Sequence, residues 1–317
     1  MTRARDHLSR EEIARFTRAS DAMGWLAVLG DWAIAAGSFA LVAWRPTVWS
    51  VAIALVLLGG RQLGLAVLMH EASHGSLFRT RALNRWVGRW LCGAAIGIDI
   101  ERYRSHHLAH HSFTGTDRDP DMCLVRPFPT TRSGLARKLL RDLVGLTGLK
   151  RIVGLLAMDF GFITYTASGD AERISEPPPW PERLRVGVRR LAPGLLVNGA
   201  LFAVLTALGQ PMLYLLWVAA WLTTFSAFLR IRAIAEHACT EQGADPLRNT
   251  RTVRAGPLAR LFVAPHGVCF HLEHHLLMTV PYFRLGALHR VLVERGVLDE
   301  SPVADGYLAV LRRATAG

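Results

Sequence analysis

Residues 47–74 read TVWSVAIALVLLGGRQLGLAVLMHEASH. From 47 to 69 the run holds one charge, Arg61. It is long enough to cross a bilayer, which takes about 20 mostly apolar residues. The last five residues place His70 and His74 four apart, and positions i and i+4 share one face of a helix. An apolar span thus ends in two imidazoles projected from one side.

Working outward, three further apolar blocks appear at 23–44, 191–208 and 211–229. Four such blocks in two close pairs argue against a large soluble protein with buried helices, although only 51% of the 317 residues are apolar. A shorter block at 86–100 is interrupted by Arg89 and Asp99 and reads as re-entrant or interfacial. The expected fold is all-α: four transmembrane helices in two hairpins, with a cytoplasmic helical cap. One domain over 1–317 is expected, with cytoplasmic stretches 75–190 and 230–317.

Charge sets the orientation. The turn between the first two blocks carries only Arg45, and the turn at Gly209-Gln210 carries none. The remaining Lys and Arg outside the spans lie on the other side, which puts both termini in the cytoplasm. The net charge of +12 suits an anionic membrane surface or an acidic redox partner. No recognition motif for nucleic acid accompanies it. The basic segment 1–22 lacks a cleavable signal pattern, so the first block reads as a retained anchor. Cys92, Cys123, Cys239 and Cys269 form no CxxC pair, and a cytoplasmic setting disfavours disulfides.

Between the hairpins, residues 133–165 mix Leu, Val and Ile with Arg137, Lys138, Arg141, Lys150 and Arg151. They read as basic amphipathic helices lying on the membrane or as surface helices of the cap. Residues 177–181, PPPWP, read as a stiff linker. Asp31 and Arg61 lie roughly 13 Å deep by helical rise. Lone charges there are costly, so the two are expected to face each other.

Eight of the 13 histidines fall in three windows: His70 and His74; His107, His110 and His111; His271, His274 and His275. His237 lies just past the fourth block. All nine can meet at one level under the membrane. Nine nitrogens are too many for one metal and about right for two, and imidazole suits iron, copper, nickel and zinc alike. Glu71 makes the first window HExxH, the zincin signature. A membrane zinc metalloprotease is the rival reading, but it would leave six clustered histidines without a task.

Several neighbours could accept from ligand N–H groups: Glu71, Glu236, Glu273, Asp119 and Asp121. Each could equally be a solvated residue or turn cap. His106 and His266 could touch the site or be structural. His289 reads as packing or surface and His7 as surface. Trp25, Trp32, Trp217 and Trp221 read as interface or core residues, with a substrate tunnel as the other option.

The windows and their flanks resemble the membrane fatty acid desaturase and hydroxylase superfamily. The flanks are Tyr103 to His111 followed by Thr114 and Asp119-Pro120-Asp121, and Phe270 to Leu276 followed by Val280-Pro281 and Leu288-His289. The resemblance implies an integral-membrane enzyme with a non-haem di-iron centre that uses O2. Its nine ligands would be His70, His74, His107, His110, His111, His237, His271, His274 and His275. It implies hydrogen abstraction from an unactivated C–H of a lipid. Fatty acyl desaturation is the expected outcome; hydroxylation or ketolation of a lipid or carotenoid is the alternative. Ala233 stands where some animal acyl-CoA desaturases have asparagine. No cytochrome b5 domain or HPGG haem motif occurs, so electrons are expected from a separate ferredoxin, rubredoxin or cytochrome with its reductase.

Overall fold

The computed structural model describes residues 4–316. Met1–Arg3 of the basic leading segment and Gly317 of the expected cytoplasmic tail lie outside the described residues. The chain is mostly helical. In order, the helices are α1 (Arg10–Phe16), α2 (Asp21–Trp44), α3 (Val48–His74), α4 (Arg81–Val87) and α5 (Ile100–Phe113). Then come α6 (Met122–Val125), α7 (Arg132–Leu143), α8 (Leu146–Asp159), α9 (Trp180–Ala207), α10 (Tyr214–Leu222) and α11 (Thr224–His237). The last are α12 (Pro246–Asn249), α13 (Pro257–Phe262), α14 (His271–Leu276), α15 (Tyr282–Glu294) and α16 (Tyr307–Arg313). Two short strands, β1 (Thr252–Val253) and β2 (Val303–Ala304), pair in parallel and are a small departure from an all-α fold.

Four stretches are long and apolar enough to cross a membrane: Arg10–Trp44, Val48–His74, Trp180–Ala207 and Pro211–His237. Of these, α3 is the most buried and α9 the least. Thr47 caps α3 by accepting from the Ser50 amide, while Gly75, at φ 75°, ends it. Such a left-handed stop is favourable for glycine.

Two elements differ from the sequence reading. The third helix begins at Trp180, well before the apolar block at 191, and absorbs part of the expected linker. Pro181 is compatible because the first turn of a helix needs no amide donor. The fourth apolar block is two helices broken at Thr223 (φ −109°, ψ −87°), and its second half runs on to His237.

The segment after α4 forms a π-helical turn (Gly88–Gly93) and a 3-10 turn (Ala94–Ile96) and is buried against α3. Its carbonyls are used by the flanking spans. Trp32 Nε1 donates to Leu91 O at 3.0 Å and Trp221 Nε1 to Ile96 O at 3.1 Å. Irregular backbone is stable at membrane depth only where protein covers it.

Asp31 and Arg61 meet as expected, with Nη1 2.6 Å from Oδ1. Arg61 Nη2 also donates to Leu261 O, and His266 Nε2 lies 2.8 Å from Asp31 Oδ2. The chain beyond the fourth span therefore returns to the middle of α3. His266 belongs to this cluster, in keeping with the structural one of its two readings. Tyr282, whose ring packs on His266, links the cluster to α15.

Candidate metal centre

Four helix ends deliver the nine imidazoles. His74 ends α3, with His70 one turn earlier, and His110 and His111 lie in the last turn of α5, with His107 one turn earlier. His237 is the final residue of α11. α14 carries His271, His274 and His275. The i, i+3, i+4 spacing places each set on one helical face.

The structure sorts them into two groups. His70, His74, His107, His111 and His274 form one; His110, His237, His271 and His275 form the other. Within each group the candidate ligand atoms lie within 4.8 Å of one another. The groups adjoin, since the rings of His111 and His275 stack with centroids 4.2 Å apart.

The inner nitrogens are Nε2 atoms. His107 and His274 each bring Nε2 to 3.0 Å from that of His111, and His237 does the same with His271. The Nε2 atoms of His70, His74 and His275 are enclosed without a hydrogen-bond partner. Buried polar atoms without partners are costly. Facing lone pairs around a common point are the donor set a cation would satisfy, so these residues fit a metal pair.

The outer nitrogens show how the rings are oriented. In the four-histidine group every Nδ1 has a polar neighbour. His110 Nδ1 is 2.8 Å from Asp119 Oδ1, and His237 Nδ1 is 3.2 Å from Asn249 O. Carboxylate and carbonyl oxygens only accept, so both rings must donate through Nδ1, which leaves Nε2 as a lone pair. His275 Nδ1 lies 3.3 Å from Thr114 Oγ1, whose own hydrogen goes to His110 O at 2.5 Å. Glu236 Oε1 is 3.5 Å from His271 Nδ1 and is held at 2.5 Å by Arg232. In the five-histidine group, Glu71 Oε1 stands 3.4 Å from His70 Nδ1. The other oxygen of Glu71 accepts from Ser76 Oγ and the Tyr282 amide, each at 3.0 Å. Tyr103 stacks on His107 with centroids 5.2 Å apart.

Two expected neighbours do other work. Glu273, although inside the third window, accepts from His289 Nδ1 and Thr252 Oγ1, both at 2.5 Å, rather than from a box imidazole. It sits between His271 and His274 on the helix, so its side chain leaves on another face. His106 turns away from both groups to Asp121 Oδ1 at 2.8 Å. Asp121 Oδ2 in turn comes within 3.6 Å of His110 Nδ1. Thr114, the Asn249 carbonyl and His289 were not singled out as partners by the sequence. The Thr114 and His289 positions lay in the quoted flanks, whereas a backbone carbonyl leaves no mark in a sequence.

Burial, then neighbouring imidazoles, push the pKa values of His107, His111, His271, His274 and His275 well below the ordinary range. These rings are neutral at physiological pH, the state a metal needs. Burial alone would lower His110 as well, but its hydrogen bond to Asp119 and the charges of Asp121, Asp119 and Glu236 hold it above the usual value.

A helical membrane protein with two adjoining groups of convergent imidazoles is a metal-binding membrane protein of the histidine-box kind. The chain belongs to the fatty acid desaturase family, which matches residues 46–305. It is an oxidoreductase by that membership. One relative is the dihydrorhizobitoxine desaturase of Bradyrhizobium elkanii, 23% identical over 288 residues, which cover 87% of this chain and 77% of that protein. Another is the sn-1 acyl-lipid omega-3 desaturase (ferredoxin) of Synechocystis sp.. It is 30% identical over 112 residues, covering 35% of this chain and 31% of the relative.

Proposed function

We propose that this protein is an O2-dependent non-haem di-iron desaturase that introduces a double bond into a fatty acyl chain of a membrane lipid. The observation that carries the reading is the grouping of nine imidazoles into a set of five and a set of four, each with convergent donor atoms. His70, His74, His107, His111 and His274 would hold one iron; His110, His237, His271 and His275 would hold the other. The bound metal pair would supply the reduction of O2 that drives removal of two hydrogens. The balance is CH2–CH2 plus O2, two electrons and two protons giving CH=CH and two waters.

The chain's own share is orientation. Asp119, the Asn249 carbonyl and Thr114 fix the Nδ1–H tautomer of His110, His237 and His275 and so aim each Nε2 inward. Outer partners of this kind raise ligand basicity and hold ring orientation. Glu71 and Glu236 stand 3.4 Å and 3.5 Å from the Nδ1 atoms of His70 and His271, close enough to act by charge but without a hydrogen bond. The apolar interior where α2, α3 and α10 meet excludes water from the membrane side of the centre.

The whole chain reads as one desaturase-like domain, with its spans in two hairpins and with both termini and the centre on the cytoplasmic side. The lysine and arginine distribution supports that orientation. The electron donor is a separate protein; a ferredoxin fits the name of the Synechocystis relative and the chain's net charge of +12.

The test is to express the protein and a His274→Ala variant in a host lacking the activity. Bound iron and zinc are quantified, and lipids are profiled by mass spectrometry. Two irons per chain and a loss of two hydrogens, both missing or reduced in the variant, are expected. A gain of oxygen would make it a hydroxylase of the same family. One zinc, no iron and unchanged lipids would overturn the reading and return the HExxH protease.

A further inference from the structure

The segment from Asn249 to Val253 lies outside every histidine window, yet it bonds to three of the four elements that carry the imidazoles. It leaves α12 as an extended stretch, and all five of its residues are buried. Just past α5, Asn249 Nδ2 donates to Thr114 O at 2.8 Å. The same nitrogen donates to Gly243 O at 2.7 Å, and the Gly243 amide donates to Gly115 O at 2.8 Å. Gly115 stands at φ 73°, and a Cβ there would fall 2.6 Å from Gly243 O and 2.8 Å from Asn249 Cβ. At the start of α14, the Val253 amide donates to Cys269 O at 2.9 Å, and Thr252 Oγ1 donates to Glu273.

The end of α11 is held at more points. A helix leaves its last four carbonyls without partners inside the helix. Here Ala235 O accepts from Arg251 Nη1 at 3.0 Å, and Glu236 O accepts from the Arg251 amide at 2.9 Å. His237 O accepts from Thr240 Oγ1 at 2.7 Å. Beyond the helix, Arg251 Nη2 donates to Ala238 O at 2.7 Å and to Cys239 O at 3.3 Å. Cys239 stands at φ 57°, a left-handed conformation uncommon for a residue with a side chain. Arg251 is only 1% exposed, and a buried cation is costly unless its donors are satisfied. It meets that cost at main-chain carbonyls, at the negative end of a helix dipole. His237 is the last residue of α11, where a helix without such support frays.

We propose that Arg251 and Asn249 are positioning residues for the four-histidine group, fixing the ends of α11 and α5 so that His237 and His110 converge with His271 and His275. This rests on the di-iron reading, in which the smaller group holds one iron. All four of its histidines ride on the three elements that the segment joins, whereas the five-histidine group has His70 and His74 on α3. Loosening the segment should therefore weaken one metal and spare the other.

The test measures iron(II) bound without oxygen to the full chain in detergent, by competition with a chelator. The native chain should hold two irons. Arg251→Gln should weaken one of them by about 10–100-fold, the scale on which outer partners of ligating histidines act, and leave the other unchanged. Double variants assign the loss. Combined with His237→Ala, which itself removes a ligand of the smaller group, Arg251→Gln should cost the surviving iron nothing. Combined with His74→Ala, it should weaken the iron that remains. Asn249→Ala should repeat the pattern and carries the test alone if Arg251→Gln does not fold, as read by elution volume and circular dichroism. Arg251→Lys should recover part of the affinity, because an ammonium still donates to the same carbonyls. Arg254→Gln, at an exposed neighbour, should change nothing. Native affinity for both irons in the Arg251 and Asn249 variants, or equal weakening of both, would overturn the proposal alone. A native chain holding fewer than two irons would overturn the di-iron reading, and the proposal with it.

Discussion

His110 differs from its neighbours in what holds its outer nitrogen. Asp119 is buried, accepts from Nδ1 at 2.8 Å, and is itself fixed by the Gly115 amide at 3.1 Å and the Asp121 amide at 2.9 Å. Exchanging it for Asn keeps the shape and removes the charge behind the ring. Asp119→Asn should weaken iron binding or activity by about 10–100-fold, the usual effect of losing an outer partner of a ligating histidine. Chelator competition would measure the former, with exposed Asp117→Asn as the control; equal affinity in both variants would refute a positioning role. Eight of the nine histidines were legible because helical spacing advertises them, His237 by its place just past the fourth apolar block and by the resemblance, and Asp119 was legible as a candidate. For Glu273 and His266 the sequence left the choice of partner open, for a shared reason. Closeness in sequence to a histidine says nothing about which helical face a carboxylate takes, or which distant element a ring meets. The bonds from Glu273 to His289 and Thr252, and from His266 to Asp31, are long-range facts of packing.

The element that organises the molecule is α3, which carries His70 and His74 at one end and Arg61 midway. Two glycines allow its neighbours to come close. A Cβ on Gly64 would fall 2.2 Å from Asp31 Oδ2, and one on Gly59 would fall 2.2 Å from Thr224 Oγ1, at the break between α10 and α11. Asp31 thereby reaches both Arg61 and His266 and fastens α2, α3 and the segment leading to α14. Asp31→Asn leaves Arg61 buried without a countercharge. Breaking such a pair costs about 3–5 kcal/mol, so the thermal midpoint in detergent should fall by several degrees. Asp31→Leu with Arg61→Leu should recover much of the loss, because it removes the stranded charge as well. An unchanged midpoint in Asp31→Asn would show that water or lipid headgroups already solvate the pair. Apolar block length gave the approximate positions of the four spans. It could not give the start of α9, whose first turns hold Glu182, Arg183 and Arg185, nor the break at Thr223, where no proline or glycine marks it.

For the molecule as a whole, bringing nine imidazoles together has a cost that depends on pH. Outside the spans, His107, His111, His271, His274 and His275 have pKa values held well below the ordinary 6.5, first by burial and then by the rings around them. In the unfolded chain the same rings titrate near their ordinary value. As pH falls through that value, the unfolded chain gains protons that the folded chain refuses. Stability contributed by these rings is therefore complete above pH 6.5 and is lost below it. His110, raised by its carboxylates, has the opposite sign and adds stability on acidification, but it is one group against five. Each depressed group removes about 1.4 kcal/mol per pH unit until its folded pKa is reached. The metal-free protein should thus lose thermal stability steeply between about pH 7 and about pH 5.5. A bound metal pair occupies the same lone pairs, so the loaded protein should hold its midpoint to lower pH and then fall with metal release. Differential scanning of chelator-treated and iron-loaded protein over this range separates the two curves. A flat metal-free curve would mean that water reaches the imidazoles, and that their convergence is looser than the packed nitrogens describe.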